Sequence, residues 1–135
     1  MPALIIHGGA GTPRRREQQE LIAVALDEIA HRTWSLIQSE KDAVECAVSA
    51  ARMLEDNPLF NAGVGSKLQS DGAARLSAAL MDGKTERFSG VINVEGLLNP
   101  IDLCLALQAE QDRVLAGSGA LDKARELGLA EGDVR

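Results

Sequence analysis

The chain has 135 residues, 45% of them apolar, and its 14 basic and 20 acidic side chains give a net charge of −6. That length fits one hydrophobic core, and an acidic chain lacks the clustered positive charge that nucleic acids and anionic membranes attract. With one tryptophan and two phenylalanines there is also no stacking platform for bases, so no nucleic-acid partner is expected.

The N-terminal apolar run, Ala3 to Ile6, is far too short for a signal peptide or a membrane span. Cys46 and Cys104 lie in apolar helical patterns and are too few for a disulfide scaffold, so both are expected to be buried and reduced. The sequence thus predicts a cytoplasmic protein with no membrane contact.

The first predicted element is a buried central strand, Ala3 to Ile6, followed by the glycine-rich turn 7–11. This turn is too short for a dinucleotide fingerprint. His7, at the end of the strand, is interpreted as an ordinary hydrogen-bonding residue. The three arginines 14–16 are interpreted as a solvated turn and not as a phosphate site.

Two helices follow in the hydrophobic pattern. The first is predicted from Glu17 to about Gln38, and a capping box at Ser39 and Asp42 is predicted to begin the second. The packed face of the second helix is expected to carry Val44, Ala47, Val48, Ala51 and Leu54.

The segment Leu54–Ser66 joins the second helix to a sheet-like pattern. Pro58 cannot continue a helix, and glycines at 63 and 65 permit a positive φ or a close approach of another backbone. Leu59 and Phe60 demand burial. A loop anchored in this way, with the Asn61 amide between its apolar and glycine residues, fits either the floor of a binding site or an ordinary packed corner.

The second half of the chain is predicted to contain two strands, a helix, a short strand and a last helix. The expected elements are a hairpin of 74–81 and 88–94, a helix from Asn99 and Pro100 to about Asp112, a strand at 114–116, and a helix from Ser118 closed by Gly128. Grouped strands favour an α+β layered fold over a doubly wound one.

No nucleophile–base pair, nucleophile elbow or zinc spacing is visible in the sequence. Six blocks are informative when they are taken in order: Ile5-Ile6-His7-Gly8-Gly9-Ala10-Gly11, Asp42-Ala43-Val44-Glu45, Pro58-Leu59-Phe60-Asn61-Ala62-Gly63-Val64-Gly65-Ser66, Met81-Asp82-Gly83, Gly90-Val91-Ile92 and Asn99-Pro100-Ile101. Together these blocks resemble the α subunit of one family, the plant-type L-asparaginases and isoaspartyl peptidases among the N-terminal-nucleophile hydrolases.

The resemblance implies half of a four-layer αββα sandwich, completed by a β chain cut from the same precursor, in an (αβ)2 heterotetramer. Residues 1–130 would be the α-subunit portion of that domain, and 131–135 a polar tail or the start of a linker. The threonines of the sequence are Thr12, Thr33 and Thr85; Thr12 follows Gly11, but Pro13 and a basic run stand where the family has an apolar strand after its nucleophilic threonine. No catalytic residue is therefore expected in this chain, and the nucleophile is expected on the partner.

The resemblance also implies site residues. Gly8 and Gly9 would lie beside the nucleophile, and Asn61 would reach it. A structural sodium ion would be held by main-chain oxygens, which suits a hard cation, and no organic cofactor is expected. The expected ligands are Leu54, Glu55, Asn57, Phe60, Ala62 and Val64.

The implied activity is hydrolysis of a small amide substrate, either the side-chain amide of L-asparagine or the isopeptide bond of a β-aspartyl dipeptide. One alternative is a catalytically silent binding or assembly protein of the same fold. The absent threonine nucleophile favours that alternative, as does Ser77, which stands where the family usually has an aspartate.

Overall fold

The computed structural model of the protein describes residues 1–11 and 15–132. In these ranges the chain forms four helices, three strands and a short 3-10 turn at Gly63–Gly65. The order is α1 Arg16–Gln38, α2 Ala43–Glu55, β1 Leu76–Asp82, β2 Arg87–Val94, α3 Pro100–Leu107, β3 Val114–Ala116 and α4 Gly117–Glu126.

The sheet has the order β1-β2-β3, with β2 in the centre. β1 and β2 form the predicted antiparallel hairpin, and the Asp82 carboxylate accepts a hydrogen bond from the Lys84 N–H in its turn at 2.9 Å. β3 pairs with β2 in parallel, from Gly90 opposite Val114 to Ile92 opposite Ala116. A mixed sheet with helices agrees with the expected α+β class.

The main core lies between one face of the sheet and helices α3 and α4. Leu76 and Leu80 of β1 are buried on this side, as the two-residue period of a strand dictates, whereas burial along β2 does not alternate strictly. Val91, Val94, Leu103, Leu107 and Ala124 are all fully buried there. α2 joins the same core through Val48, beside α3.

A smaller core lies between α1, α2 and the loop that follows α2. Its buried members are Ile29, Ala50 and Phe60. Phe60 is 3% exposed, which confirms the predicted burial of this loop residue. The loop is thus fixed to the helices by an aromatic anchor.

The opposite face of the sheet is apolar and uncovered among the described residues. Met81, Phe88, Ile92 and Val114 point to this side and are each about half exposed. We call these four residues the outer face.

The strand predicted at Ala3 to Ile6 is wrong for the described chain. Residues 1–9 belong to no helix or strand, and the Ile5 side chain is 93% exposed. A strand exists only through its ladder of hydrogen bonds to a neighbour, and no described strand lies beside this segment. The apolar side chains alone therefore could not make it one.

The capping prediction for the second helix was wrong by three residues. Asp42 is the N-cap of α2, and the reciprocal bond comes from the Glu45 side chain. Ser39 instead ends α1, where its hydroxyl donates to the Leu36 carbonyl at 2.8 Å. On the predicted packed face, Ala47 is exposed and Cys46 and Ala50 are buried in its place.

The later helices agree with the predictions except at their ends. α3 stops at Leu107, short of Asp112, because residues 108–110 continue with single-turn i→i+3 hydrogen bonds. α4 begins at Gly117, one residue before Ser118, and Gly128 has the predicted left-handed conformation with φ +67°. Residues 133–135 of the predicted tail lie outside the described residues, whereas Glu131 pairs with Leu97.

Two further expectations concern the helices. Both cysteines are free and buried, as predicted. No helix in the described ranges combines the length and apolar character needed to cross a bilayer.

Candidate functional site

A cavity of about 870 Å³ opens where the N-terminal glycine segment meets the loop after α2 and the start of α1. Residues from three separate parts of the sequence therefore share one wall. The lining residues are His7, Gly8, Gly9, Ala10, Gly11, Arg15, Gln18, Ile22, Leu54, Pro58, Leu59, Phe60, Asn61, Ala62, Gly65 and Lys67.

The glycine segment packs directly on the aromatic anchor of the loop. A Cβ atom at Gly8 would lie 2.7 Å from Phe60 Cε1, closer than real Cβ contacts allow. Gly9 has φ +112°, which a side chain would make strained, and its N–H donates to His7 Nδ1 at 3.1 Å. Glycine at position 8 lets the two segments touch, and glycine at position 9 lets the chain turn along the cavity.

Asn61 is the polar side chain that the loop presents to this cavity. Its Oδ1 atom accepts a hydrogen bond of 2.8 Å from the main-chain N–H of Lys67. The amide nitrogen has no hydrogen-bond partner among the described residues. An amide held through its oxygen keeps two N–H donors for a ligand.

The main-chain oxygens of the loop are arranged around its glycines. A Cβ atom at Gly63 would lie 2.1 Å from the Glu55 carbonyl oxygen, and one at Gly65 would lie 2.1 Å from that of Phe60. Gly63 also has φ +49°. The loop can therefore pass close to its own carbonyls only because both residues lack a side chain.

The residues expected to hold a cation offer neutral main-chain oxygens. The carbonyls of Leu54, Asn57 and Ala62 each accept one main-chain hydrogen bond within the loop, which leaves a second lone pair on each oxygen. The described residues contain no group of three or more His, Cys, Asp or Glu side chains that could hold a metal ion. Neutral oxygens of this kind suit a hard cation of low charge, as expected for sodium.

The side chain of Glu55 has a structural role that the sequence did not reveal. Its carboxylate is buried and accepts hydrogen bonds from the Ile101 N–H at 3.2 Å and from Asn99 Nδ2 at 3.3 Å. Burial raises the pKa of Glu55 to about 7, against the lowering effect of these donors. Asn99 also donates to Asp56 at 2.8 Å, so its side chain bridges to α2 and makes no cap bond to α3.

Ser77 lies away from the cavity, on the strand β1. Its hydroxyl accepts a hydrogen bond of 3.0 Å from the main-chain N–H of Asn93, which has φ +56°. The pairing register of β1 and β2 shifts between Leu76 and Ala78, at this same point. Ser77 therefore stabilises an irregularity of the hairpin.

The structure brings most of the predicted site residues together. Gly8, Gly9 and Asn61 line one cavity with the expected cation ligands Leu54, Phe60 and Ala62. The expected ligands Glu55, Asn57 and Val64 belong to the same loop but do not line the cavity. Sequence reasoning missed Lys67, because a single lysine after the glycines carried no signal until the loop was seen to fold back on Asn61.

The family of the chain is shown by comparison with known proteins. Residues 1–135 match a family model described as Asparaginase. The chain therefore belongs to this family, which is a family of amidohydrolases. The predicted resemblance is confirmed.

Individual relatives agree with this assignment. The chain is 43% identical over 128 residues to the isoaspartyl peptidase/L-asparaginase of Synechocystis sp., covering 95% of this chain and 39% of the relative. It is 46% identical over 127 residues to the protein of the same name from Nostoc sp., covering 93% and 40%. It is 43% identical over 136 residues to the plant-type L-asparaginase of Thermococcus kodakarensis, covering 98% and 44%. The chain thus spans about two fifths of the length of these relatives.

Proposed function

We propose that this chain is the α subunit of an amidohydrolase that cleaves the side-chain amide of L-asparagine, β-aspartyl dipeptides, or both. The observation that carries the proposal is the cavity in which Asn61 and the glycines Gly8 and Gly9 lie together. Family membership supports the reaction class, and two of the relatives described above are named for both activities.

The proposed nucleophile is an N-terminal threonine of a β chain made in the same precursor. Its hydroxyl oxygen attacks the substrate carbonyl carbon while its own α-amino group takes the hydroxyl proton. The C–N bond then breaks, and the nitrogen leaves with that proton as ammonia or as an amino acid. Water hydrolyses the resulting β-aspartyl ester, the threonine oxygen regains a proton, and aspartate is released.

In this scheme Asn61 is the α subunit's contribution to the chemistry. Its amide nitrogen donates toward the threonine or the oxygen of the tetrahedral intermediate, because its Oδ1 is already engaged by the Lys67 N–H. Gly8 and Gly9 leave room for the substrate and for main-chain donors. We propose that no side chain of this chain forms a covalent bond to the substrate.

A sodium ion in the loop would be coordinated by the dipoles of neutral main-chain carbonyls and would fix the conformation of the loop. The loop residues in turn hold Phe60 against Gly8, and this contact fixes the position of the cavity wall. The proposed ligands are the main-chain oxygens of Leu54, Glu55, Asn57, Phe60, Ala62 and Val64.

The proposed partner, the β chain, covers the outer face. Four half-exposed apolar side chains on one sheet face are an unusual surface for a monomer. The relatives extend well beyond the matched region, which leaves enough polypeptide for a second sheet. Packing that sheet on the outer face would give the four-layer αββα sandwich, and two such units the (αβ)2 heterotetramer.

The test is to produce the full reading frame and measure mass and activity. We expect two chains, the second beginning with threonine, and release of ammonia from L-asparagine or of free amino acid from a β-aspartyl dipeptide. A folded protein that is never cut and releases neither product would overturn the proposal. That result would favour the silent binding protein, in which Ser77 is one of the replaced residues.

A further inference from the structure

The charge of the cavity is opposite to that of the chain. Arg15 and Lys67 line it, together with His7, and no aspartate or glutamate among the described residues does so. The chain as a whole has an excess of six acidic groups. An electropositive cavity on an acidic protein points to an anionic ligand, because such a wall raises the local concentration of negative charge.

The two cations are also unpaired in the described part of the chain. Most other basic side chains there have a carboxylate within 4 Å, whereas neither Arg15 nor Lys67 does. The paired residues are Arg16, Arg32, Lys41, Arg52, Arg75, Lys123 and Arg125. The charges of Arg15 and Lys67 are therefore available to a ligand.

Lys67 is next to Asn61, the residue that we propose takes part in the chemistry. Its main-chain N–H holds the Asn61 side chain, so its Cα and the Asn61 amide are neighbours in the cavity wall. This bond uses only the backbone. A substitution at position 67 other than proline removes the ammonium and keeps the hydrogen bond that orients Asn61.

We propose that Lys67, with Arg15, is a specificity-determining residue that binds the carboxylate of the leaving amino acid. The inference rests on the proposed function. The two substrate classes differ in this group: asparagine releases ammonia, which carries no carboxylate, whereas a β-aspartyl dipeptide releases an amino acid that does. The cationic wall thus favours the dipeptide.

The experiment uses the processed full-length enzyme with L-asparagine and β-aspartyl-alanine as substrates. The measured quantity is the ratio of kcat/KM for the dipeptide to kcat/KM for asparagine. We expect Lys67→Gln to lower this ratio about fivefold, the upper range for an exposed ion pair, mainly through a higher KM for the dipeptide. Lys67→Arg should keep the ratio within about twofold, because it keeps the charge.

Lys84→Gln is the matched control, since Lys84 is an exposed lysine in the hairpin turn, away from the cavity. It should leave the ratio unchanged. In wild type, sodium chloride added from 0.05 to 0.5 M should lower the ratio by screening, and in Lys67→Gln it should lower the ratio less, because only Arg15 remains.

An unaltered ratio in Lys67→Gln would overturn the inference. If that unaltered ratio came from an equal fall in kcat/KM for both substrates, Lys67 would be assigned to the support of Asn61. Failure of the proposed function looks different, because wild type itself would then turn over neither substrate.

Discussion

The carboxylate of Glu55 accepts a hydrogen bond of 3.2 Å from the main-chain N–H of Ile101, across 46 residues of sequence. Glu55 is the last residue of α2, and Ile101 lies in the first turn of α3. The N-terminal N–H groups of a helix have no partner within the helix. A side chain from one helix therefore satisfies the open end of another, and the main-chain oxygen of the same residue is one of the proposed cation ligands.

Replacing Glu55 by alanine should destabilise the enzyme through this link. The change leaves a buried N–H at Ile101 without its acceptor and removes one partner of the Asn99 amide, so we expect a loss of about 2–3 kcal/mol in the free energy of unfolding. Urea unfolding of the full-length protein measures it. The control is Glu20→Ala, which breaks an exposed ion pair with Arg16 and should cost less than about 0.5 kcal/mol. Similar losses in the two variants would contradict the role of Glu55 as a buried hydrogen-bond acceptor.

The pH dependence of stability should also report on Glu55. Burial raises its pKa from 4.5 to about 7, so the folded state holds this proton more tightly than the unfolded state. The contribution to stability is therefore fully present below pH 4.5 and is lost as the pH rises to about 7. The unfolding free energy of wild type should fall relative to that of Glu55→Gln between about pH 5 and pH 8. If the two free energies instead changed in parallel with pH, the raised pKa of Glu55 would be refuted.

Asn61→Ala should separate the chemistry from the fold. The side chain is exposed in the cavity wall, so the variant should fold normally, and kcat of the processed enzyme should fall on the order of 10²-fold, the scale for loss of one donor to a transition state. Gln69→Ala, an amide in the same connecting segment that does not line the cavity, is the matched control. Equal kcat values for wild type and Asn61→Ala would favour the hypothesis that the loop is an ordinary packed corner.

The loop should respond to sodium and depend on Gly63. We expect the thermal midpoint of the full-length protein to be higher in sodium chloride than in choline chloride of equal ionic strength, since an ion that binds only the folded state stabilises it. Gly63→Ala should abolish this difference, because its Cβ would lie 2.1 Å from the Glu55 carbonyl oxygen. At Gly83 a Cβ would meet nothing within 4 Å, so Gly83→Ala should keep the sodium response. A normal response in Gly63→Ala would rule out the proposed ligand set.

The 135-residue chain should be insoluble or aggregate when produced alone. Its outer face exposes Met81, Phe88, Ile92 and Val114 on one side of the sheet, and such a patch associates unless covered. Size-exclusion chromatography of the chain alone, beside the full-length protein, is the measurement. A monodisperse monomer that unfolds cooperatively would show that the sheet needs no partner.

Features governed by neighbouring residues could be predicted from the sequence. The hairpin 76–94, the helix start at Pro100 and the left-handed Gly128 agree with the structure, because turn chemistry and fixed φ values act within a few residues. The burial of Phe60 could also be predicted, because a large apolar side chain loses free energy when it is removed from water.

Features that depend on distant partners could not be predicted. The run Ala3 to Ile6 has the composition of a strand, but strand formation needs a neighbour that the described residues lack. Asn99 is a residue type that commonly caps helices, yet its side-chain amide donates hydrogen bonds to Glu55 and Asp56. In the site, Asn61 was found through the family resemblance, whereas Lys67 became visible only through its bond to Asn61.

The topology of the sheet has a consequence for synthesis on the ribosome. β1 pairs with β2 and β2 with β3, so each pairing joins strands that follow one another along the chain, and α3 fills the one crossover. Pairings of such short sequence separation carry a low entropic barrier. Residues 76–126 can therefore assemble while later parts of a longer polypeptide are still being translated, which would present the outer face as a finished template before any second sheet emerges.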